Sequence, residues 1–190
     1  MKKLFLIIGA PGSGKTTDAE IIAERNGSVI KHYSAGEMFR AEVASGSERG
    51  RVIDSFISKG NIVPIDIAVE TIVGAIKKAP RNIVIIDGYP RSIEQMRELD
   101  RYLSNEAEVE LLKVIEVVVS EEVARDRVLG RARGADDNDE VFNNRMKVYT
   151  EPLAEIQHHY GTKSLLHKID GERSIEAIVA EMEAYILSHL

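Results

Sequence analysis

Gly9-Ala10-Pro11-Gly12-Ser13-Gly14-Lys15-Thr16 sets a lysine and a hydroxyl directly after a glycine-rich turn. The spacing is G-x-x-x-x-G-K-[ST]. In that pattern backbone N–H groups converge on phosphate oxygens, the lysine reaches the outer phosphates and the hydroxyl meets Mg²⁺. Gly12, Ser13, Gly14, Lys15, Thr16 and Thr17 are therefore expected to hold a nucleoside triphosphate. Asp87 closes the apolar run IVIID and is the natural second acid near the magnesium, partly through water, although an acid there can also serve a turn. Arg127, Arg131 and Arg133 fall within seven positions, followed at once by Asp136 and Asp137. Arg127 and Arg131 stand at i and i+4, and like charges so placed on a helix repel by roughly 0.2–0.5 kcal/mol. Such a cluster suits an anion. Near a helix C-terminus it would also complement the macrodipole.

A second group follows Asp87: Gly88-Tyr89-Pro90-Arg91-Ser92-Ile93-Glu94-Gln95. Gly88 and Pro90 fix a tight turn, and Arg91 is the residue type for bidentate phosphate contact. Ser92-x-x-Gln95 also reads as a capping box, as does Ser34-x-x-Glu37. For Ser34 capping is the favoured role. Asp136, Asp137 and Asp139 suit both a helix start and pairing with the nearby arginines.

These residues need elements to position them. Five short apolar runs, 3–9, 28–32, 82–87, 113–119 and 164–169, read as strands. Three of them are near-continuously apolar, as in a parallel sheet buried on both faces. Helical patterns at 14–25, 64–78, 92–103, 121–131, 139–160 and 174–187 separate them. The alternation implies an α/β, doubly wound, five-stranded parallel sheet. Between the second and third strands lie two extra helical segments, 36–45 and 48–58, which read as a helical insertion. The division expected is one domain, 1–190, with a core of 1–33, 64–129 and 141–190, an insertion at 34–63 and a short lid at 130–140. Gly130 and Gly134 are candidate lid hinges.

The bulk numbers exclude several classes. The net charge is −6 and the pI near 5.5, which argues against a general nucleic-acid surface. No cysteine is present, so disulfides and Cys-based zinc sites are excluded and a reducing, cytoplasmic setting fits. No apolar run reaches the roughly 20 residues that span a bilayer. The five histidines, 32, 158, 159, 167 and 189, show no ligand spacing and read as structural or surface residues.

GAPGSGKT at 9–16, SAGEMFR at 34–40, DGYPRSIEQ at 87–95, GRARGADD at 130–137 and Arg145 come in one order along the chain. In these pieces the sequence resembles the nucleoside monophosphate kinases, most closely the adenylate kinase family, over essentially its whole length. The resemblance implies transfer of the terminal phosphoryl group of MgATP to AMP, giving two ADP. It implies a P-loop core, a monophosphate-binding insertion, a lid and a monomer. It assigns Arg40 and Arg91 to the acceptor phosphate, with Ser34, Ala35 and Gly88 alongside. Gln95 would bond the acceptor base, and Ile62 and Val63 would line its pocket. Arg127 and Arg131 would serve the ATP side. Arg133 and Arg145 would bridge the two nucleotides at the transferred group, and Arg173 would lie near the ATP adenine. Catalysis would rest on Lys15, Arg91, Arg131, Arg133 and Arg145.

Two departures stand out. Many family members carry Thr where this chain has Ala35, so a hydroxyl contact to the acceptor is lost, or Ser34 or water replaces it. Many bacterial members insert a few dozen residues into the lid, sometimes with zinc ligands. Here only Ala132 to Ala135 separate Arg131 from Asp136, so no structural zinc is expected. Two other readings stay open, a UMP/CMP kinase and a non-catalytic nucleotide sensor. Gln95 favours AMP, because an amide can pair with both N1 and the N6 amine of adenine.

Overall fold

The computed structural model describes residues 1–131 and 137–190. The chain runs β1 (Lys2–Gly9), α1 (Lys15–Arg25), β2 (Ile30–Ser34), α2 (Ala35–Ala44), α3 (Glu48–Ile57), α4 (Ile65–Lys78), β3 (Ile83–Asp87), α5 (Ile93–Asn105), β4 (Val109–Val118), α6 (Glu121–Arg131), α7 (Asp139–Thr162), β5 (Leu166–Asp170) and α8 (Ile175–Ser188). The sheet has five strands in the order β2-β3-β1-β4-β5, and every pairing is parallel.

Burial follows from the strand sequences. In β1, alternate residues face opposite sides. Leu4, Leu6 and Ile8 join one apolar cluster, with Ile72, Ile76, Leu99 and Tyr160 from the helices. Phe5 and Ile7 join the other, with Ile22, Val179 and Met182. Helices therefore cover both faces, and an Ile or Leu taken fully out of water contributes roughly 1.5–3 kcal/mol.

The order of strands locates the crevice. β1 and β3 are neighbours, but the chain leaves β1 toward β2 on one side and leaves β3 toward β4 on the other. Such a switch point opens a cleft beyond the carboxyl ends of the two strands. The loop after Gly9 and the loop after Asp87 both lie there.

Two strands differ from the sequence reading. β2 sits two residues later than the 28–32 run, because its register with β3 pairs Tyr33 with Ile86 and Ser34 with Asp87. Apolarity marked the strand but not its pairing. β4 starts at Val109 instead of 113, since Val109 and Leu111 alternate with Glu110 on the extension alongside Lys2 to Leu4. The register shifts after Leu4, leaving Leu112 as the extra residue of a bulge. The other boundaries agree to within two residues.

Candidate functional site

The phosphate cradle is shaped by close packing. Gly12 has φ +80°, and a Cβ there would meet the carbonyl oxygen of Ala124 at 2.4 Å. Only glycine lets the loop pass so near α6. α1 opens at Lys15 behind Gly14, so its free N–H groups point at the cleft. The Lys15 ammonium donates to the carbonyl of Ala10 at 3.2 Å. Burial, together with the positive charges of Arg91, Arg145 and Arg131, pulls its pKa down to about 7 against the opposing pull of Asp87. Four cations thus face one volume, which is an anion site by electrostatics alone.

Below Lys15, oxygens gather. The Thr16 hydroxyl donates to Asp87 Oδ1 at 2.8 Å, and the Ser34 hydroxyl donates to the same oxygen at 3.3 Å. His32 Nε2 lies 2.6 Å from Asp87 Oδ2, with both side chains buried. Burial pushes the Asp87 carboxyl up, but the His32 hydrogen bond, the Lys15 charge and the Thr16 bond outweigh it and hold it below its usual value. An ionised carboxylate beside a hydroxyl is a hard oxygen pair that fits Mg²⁺. Among the described residues no group of three or more His, Asp or Glu gathers for a metal. Thr16 and Asp87 would therefore hold a divalent ion jointly with phosphate oxygens and water.

The donor side is walled by residues 12–18, Arg127, Arg131, Arg173, Ile175 and Ile178. Arg127 Nη2 donates to the Gly171 carbonyl at 3.0 Å, and Nη1 to that of Ser13 at 3.3 Å. Arg173 Nε donates to the Asp170 carbonyl at 3.2 Å, and its guanidinium pairs with Glu181. Arg131 makes a two-pronged bond to Asp137, Nε to Oδ2 at 3.0 Å and Nη2 to Oδ1 at 2.8 Å. Arg145 Nη1 lies 3.8 Å from the same carboxylate. Among the described residues, Asp137 is thus the acid that meets Arg131 and approaches Arg145. Asp139 instead meets Arg125 at 2.8 Å, and Asn138 caps α7 by accepting from Val141 N–H at 3.0 Å. The Arg133 and Asp136 expectations lie outside the described residues.

On the acceptor side, Arg40 and Arg91 converge over Gly36. A Cβ on Gly36 would lie 3.2 Å from Arg40 Nη1 and 3.4 Å from Arg91 Nη2. Arg91 is anchored by Nε donating to the Gly88 carbonyl at 2.7 Å. Ser92 caps α5 by accepting from Gln95 N–H at 3.1 Å, while Gln95 Oε1 accepts from Arg91 N–H at 2.7 Å. That bond fixes which end of the amide is oxygen. It also leaves Nε2 and one oxygen lone pair available. Ile62, Gly88, Arg91 and Arg145 line one pocket with Tyr149 and Leu153. Val63 is buried in the main apolar cluster beneath it. Ala35 is fully buried. The Ser34 hydroxyl, already bonded to Asp87, accepts from Glu37 N–H at 3.5 Å, a long cap.

Several residues of the site escaped the sequence reading. His32 was legible only as a strand residue, and its place on Asp87 follows from strand order. Asp18 carried a faint signal, an acid on the stripe where Ala19 and Ile22 are buried. Burial raises its carboxyl to about 6, with Arg127 pulling it down. Gly60, at φ +75°, packs on α7, where a Cβ would meet Arg145 Cγ at 2.8 Å and the Val141 carbonyl at 2.9 Å. Asn144 Nδ2 ties the same loop down through Lys59 O at 2.5 Å and Asn61 Oδ1 at 2.8 Å. Gly60→Ala will therefore push Arg145 off its position and strain the backbone. We expect about 1–3 kcal/mol of lost stability in thermal melts, and a turnover at saturating substrates reduced roughly tenfold or more.

Comparison with known proteins points to one family. A family model described as adenylate kinase matches residues 7–165. The chain is 70% identical over 190 residues to an adenylate kinase of Wolinella succinogenes, covering all of both chains. It is 68% identical over 186 residues to one from Campylobacter lari, covering 98% of this chain and 97% of that one. An adenylate kinase of Helicobacter hepaticus is 67% identical over 186 residues, 98% of each chain.

Proposed function

Because the chain belongs to the adenylate kinase family, we propose that it transfers the terminal phosphoryl group of MgATP reversibly to AMP, giving two ADP. The observation that carries this reading is the pair of guanidiniums, Arg40 and Arg91, converging over Gly36 across the cleft from the Lys15 cradle. A second phosphate site facing the triphosphate site is what a transferase needs and a simple hydrolase does not.

Phosphoryl transfer demands mainly positioning and charge stabilisation. The cradle N–H groups and Lys15 hold the donor phosphates. Arg40 and Arg91 hold the acceptor phosphate, whose oxygens are already ionised near neutral pH, so no general base is needed. Arg131 and Arg145 flank the transferred group, and the family resemblance alone assigns Arg133 to join them. Thr16 and, partly by way of water, Asp87 would hold Mg²⁺, which would neutralise charge on the phosphates. Asp137, which pairs with Arg131 and approaches Arg145, keeps those guanidiniums beside each other in the absence of nucleotide. Closure of the 130–140 lid over both nucleotides excludes water and suppresses hydrolysis. Arg127 and Arg173 border the donor nucleoside.

Adenine is favoured at the acceptor by Gln95. Its free Nε2–H donates to N1, and the second lone pair of Oε1 accepts from the N6 amine. Ile62 flanks the base, with Val63 behind it. The reaction maintains adenine-nucleotide balance, and we assign the protein to the cytoplasm as a monomer whose partners are ATP, ADP and AMP. Phosphorus NMR of an equimolar mixture of MgATP and AMP tests the reaction. The expected result is loss of both substrates with formation of two ADP per ATP consumed. Inorganic phosphate as the main product would overturn it.

A further inference from the structure

Asp18 is an anomaly on the donor side. Its residue is 1% exposed, yet it carries a carboxylate, and Oδ2 is buried with no hydrogen-bond partner among the described residues. Taking an ion out of water without such a partner is costly. The neighbouring stripe residues Ala19 and Ile22 show that an apolar side chain would be accommodated on this face. A buried charge kept at a cost points to a task.

The surroundings name the task. Asp18 lies in the wall of the donor cleft, with Arg127, Arg131 and Arg173 as the other charged groups of that wall beside Lys15. The point where Gly14 would carry a Cβ is 3.6 Å from Asp18 Oδ2 and 3.8 Å from Arg127 Nη1. The carboxylate and the guanidinium therefore flank one spot above the cradle, from α1 and α6, close enough to attract but without closing an ion pair or hydrogen bond. Arg127 is otherwise held by three backbone carbonyls, of which only Gly171, at 3.0 Å, is close; Ser13 is at 3.3 Å and Gly12 at 3.5 Å. One neutral carbonyl at normal distance and two long ones steer a guanidinium less firmly than a carboxylate would.

We propose that Asp18 is a positioning residue whose carboxylate charge, without a direct ion pair, draws the Arg127 guanidinium toward the phosphate cradle, so that Arg127 meets the donor nucleotide without first being reoriented. The inference rests on the donor-side reading of the cradle. It goes further in giving Asp18 a role in donor affinity and none in acceptor binding or the transfer step.

Four proteins test this: the unaltered chain, Asp18→Asn, Arg127→Ala and the double variant. MgATP binding without acceptor is measured by calorimetric titration, KM for ATP and AMP by steady-state kinetics, and heat stability by nucleotide-free melts. Asp18→Asn should weaken MgATP binding and raise the ATP KM roughly tenfold, leave the AMP KM and saturated kcat within about twofold, and melt no lower than the unaltered chain. In the Arg127→Ala background the same change should have no further effect. Unchanged ATP affinity in Asp18→Asn would overturn the proposal. So would effects that add to those of Arg127→Ala, which would mean that Asp18 acts on the nucleotide directly. A lower melting point with both KM values rising together would make Asp18 a packing residue and overturn it as well. Failure of the unaltered chain to bind MgATP would instead overturn the donor-side reading, and this proposal with it.

Discussion

Arg91→Ala will reduce phosphoryl transfer by about 10³-fold or more, the range seen when an arginine is removed from a transferring phosphoryl group. That factor corresponds to about 4 kcal/mol of transition-state stabilisation. The size follows from position. Arg91 is anchored by the Gly88 carbonyl at 2.7 Å and meets Arg40 over Gly36. Burial and the adjacent Arg40 charge both disfavour its protonated form, with Asp87 opposing them, yet a guanidinium stays charged in proteins. A buried cation would therefore be presented to the proposed acceptor phosphate with few waters to displace. The AMP KM should rise along with the fall in kcat, while MgATP binding in the absence of acceptor stays within about twofold. Steady-state kinetics with calorimetric titration of MgATP checks both. Equal losses at the two nucleotides would place Arg91 at the wrong phosphate.

Lys15→Met will move activity and stability in opposite directions. Transfer should fall by about 10³-fold, since the variant loses the charge proposed to meet the outer phosphates throughout the reaction. The nucleotide-free protein, in contrast, should melt higher. Burial and the charges of Arg91, Arg145 and Arg131 press the Lys15 pKa down to about 7 from 10.5. The unfolded chain thus holds more protons than the folded one between about pH 7 and 10.5, so stability rises with pH across that window. At pH 7 and below most of the cost of the ammonium is present, and toward pH 10.5 it has vanished. The melting advantage of Lys15→Met should accordingly be largest near pH 7 and shrink as pH rises, measured by melts of both proteins across that range. Methionine fills similar volume without a charge. For a chain of this size each kcal/mol relieved should move the melting point by roughly 2–4 °C. An advantage that stayed constant with pH would show that the ammonium is not strained in the empty site.

The two variants show what could be read from sequence and what could not. The cradle was legible because its chemistry is local: eight consecutive residues set the turn, the lysine and the hydroxyl. The sheet was legible because strands buried on both faces must be apolar along their length, as Ile83 to Ile86 are before Asp87 closes the strand. Arg40 and Arg91 are more than fifty positions apart, and their meeting over Gly36 was expected only by resemblance to a family. Asp137 could not be separated from Asp136 or Asp139 as the partner of Arg131, because three acids in four positions differ only in where the chain turns. His32 was read as structural or surface because its partner Asp87 lies on another strand, and register is invisible until strand order is known. Asp18 and Gly60 were missed for a related reason. Gly60 packs against Arg145 of a distant helix, and the role proposed for Asp18 runs through Arg127 of another. Pairings of that kind are set by packing angles, which no spacing rule encodes.

The central claim is that the cleft joins a triphosphate site to an AMP site. It is tested most directly by measuring diphosphate formation from MgATP with AMP, UMP, CMP and GMP offered separately. AMP should be used with a kcat/KM at least about 10²-fold above UMP and GMP, because uracil and guanine present a ring N–H and a carbonyl to the Gln95 amide, whose orientation is fixed by the Arg91 N–H, and the paired hydrogen bonds are lost. UMP or GMP used as well as AMP would contradict the Gln95 assignment, and no transfer to any of the four, with MgATP still bound, would contradict the claim itself.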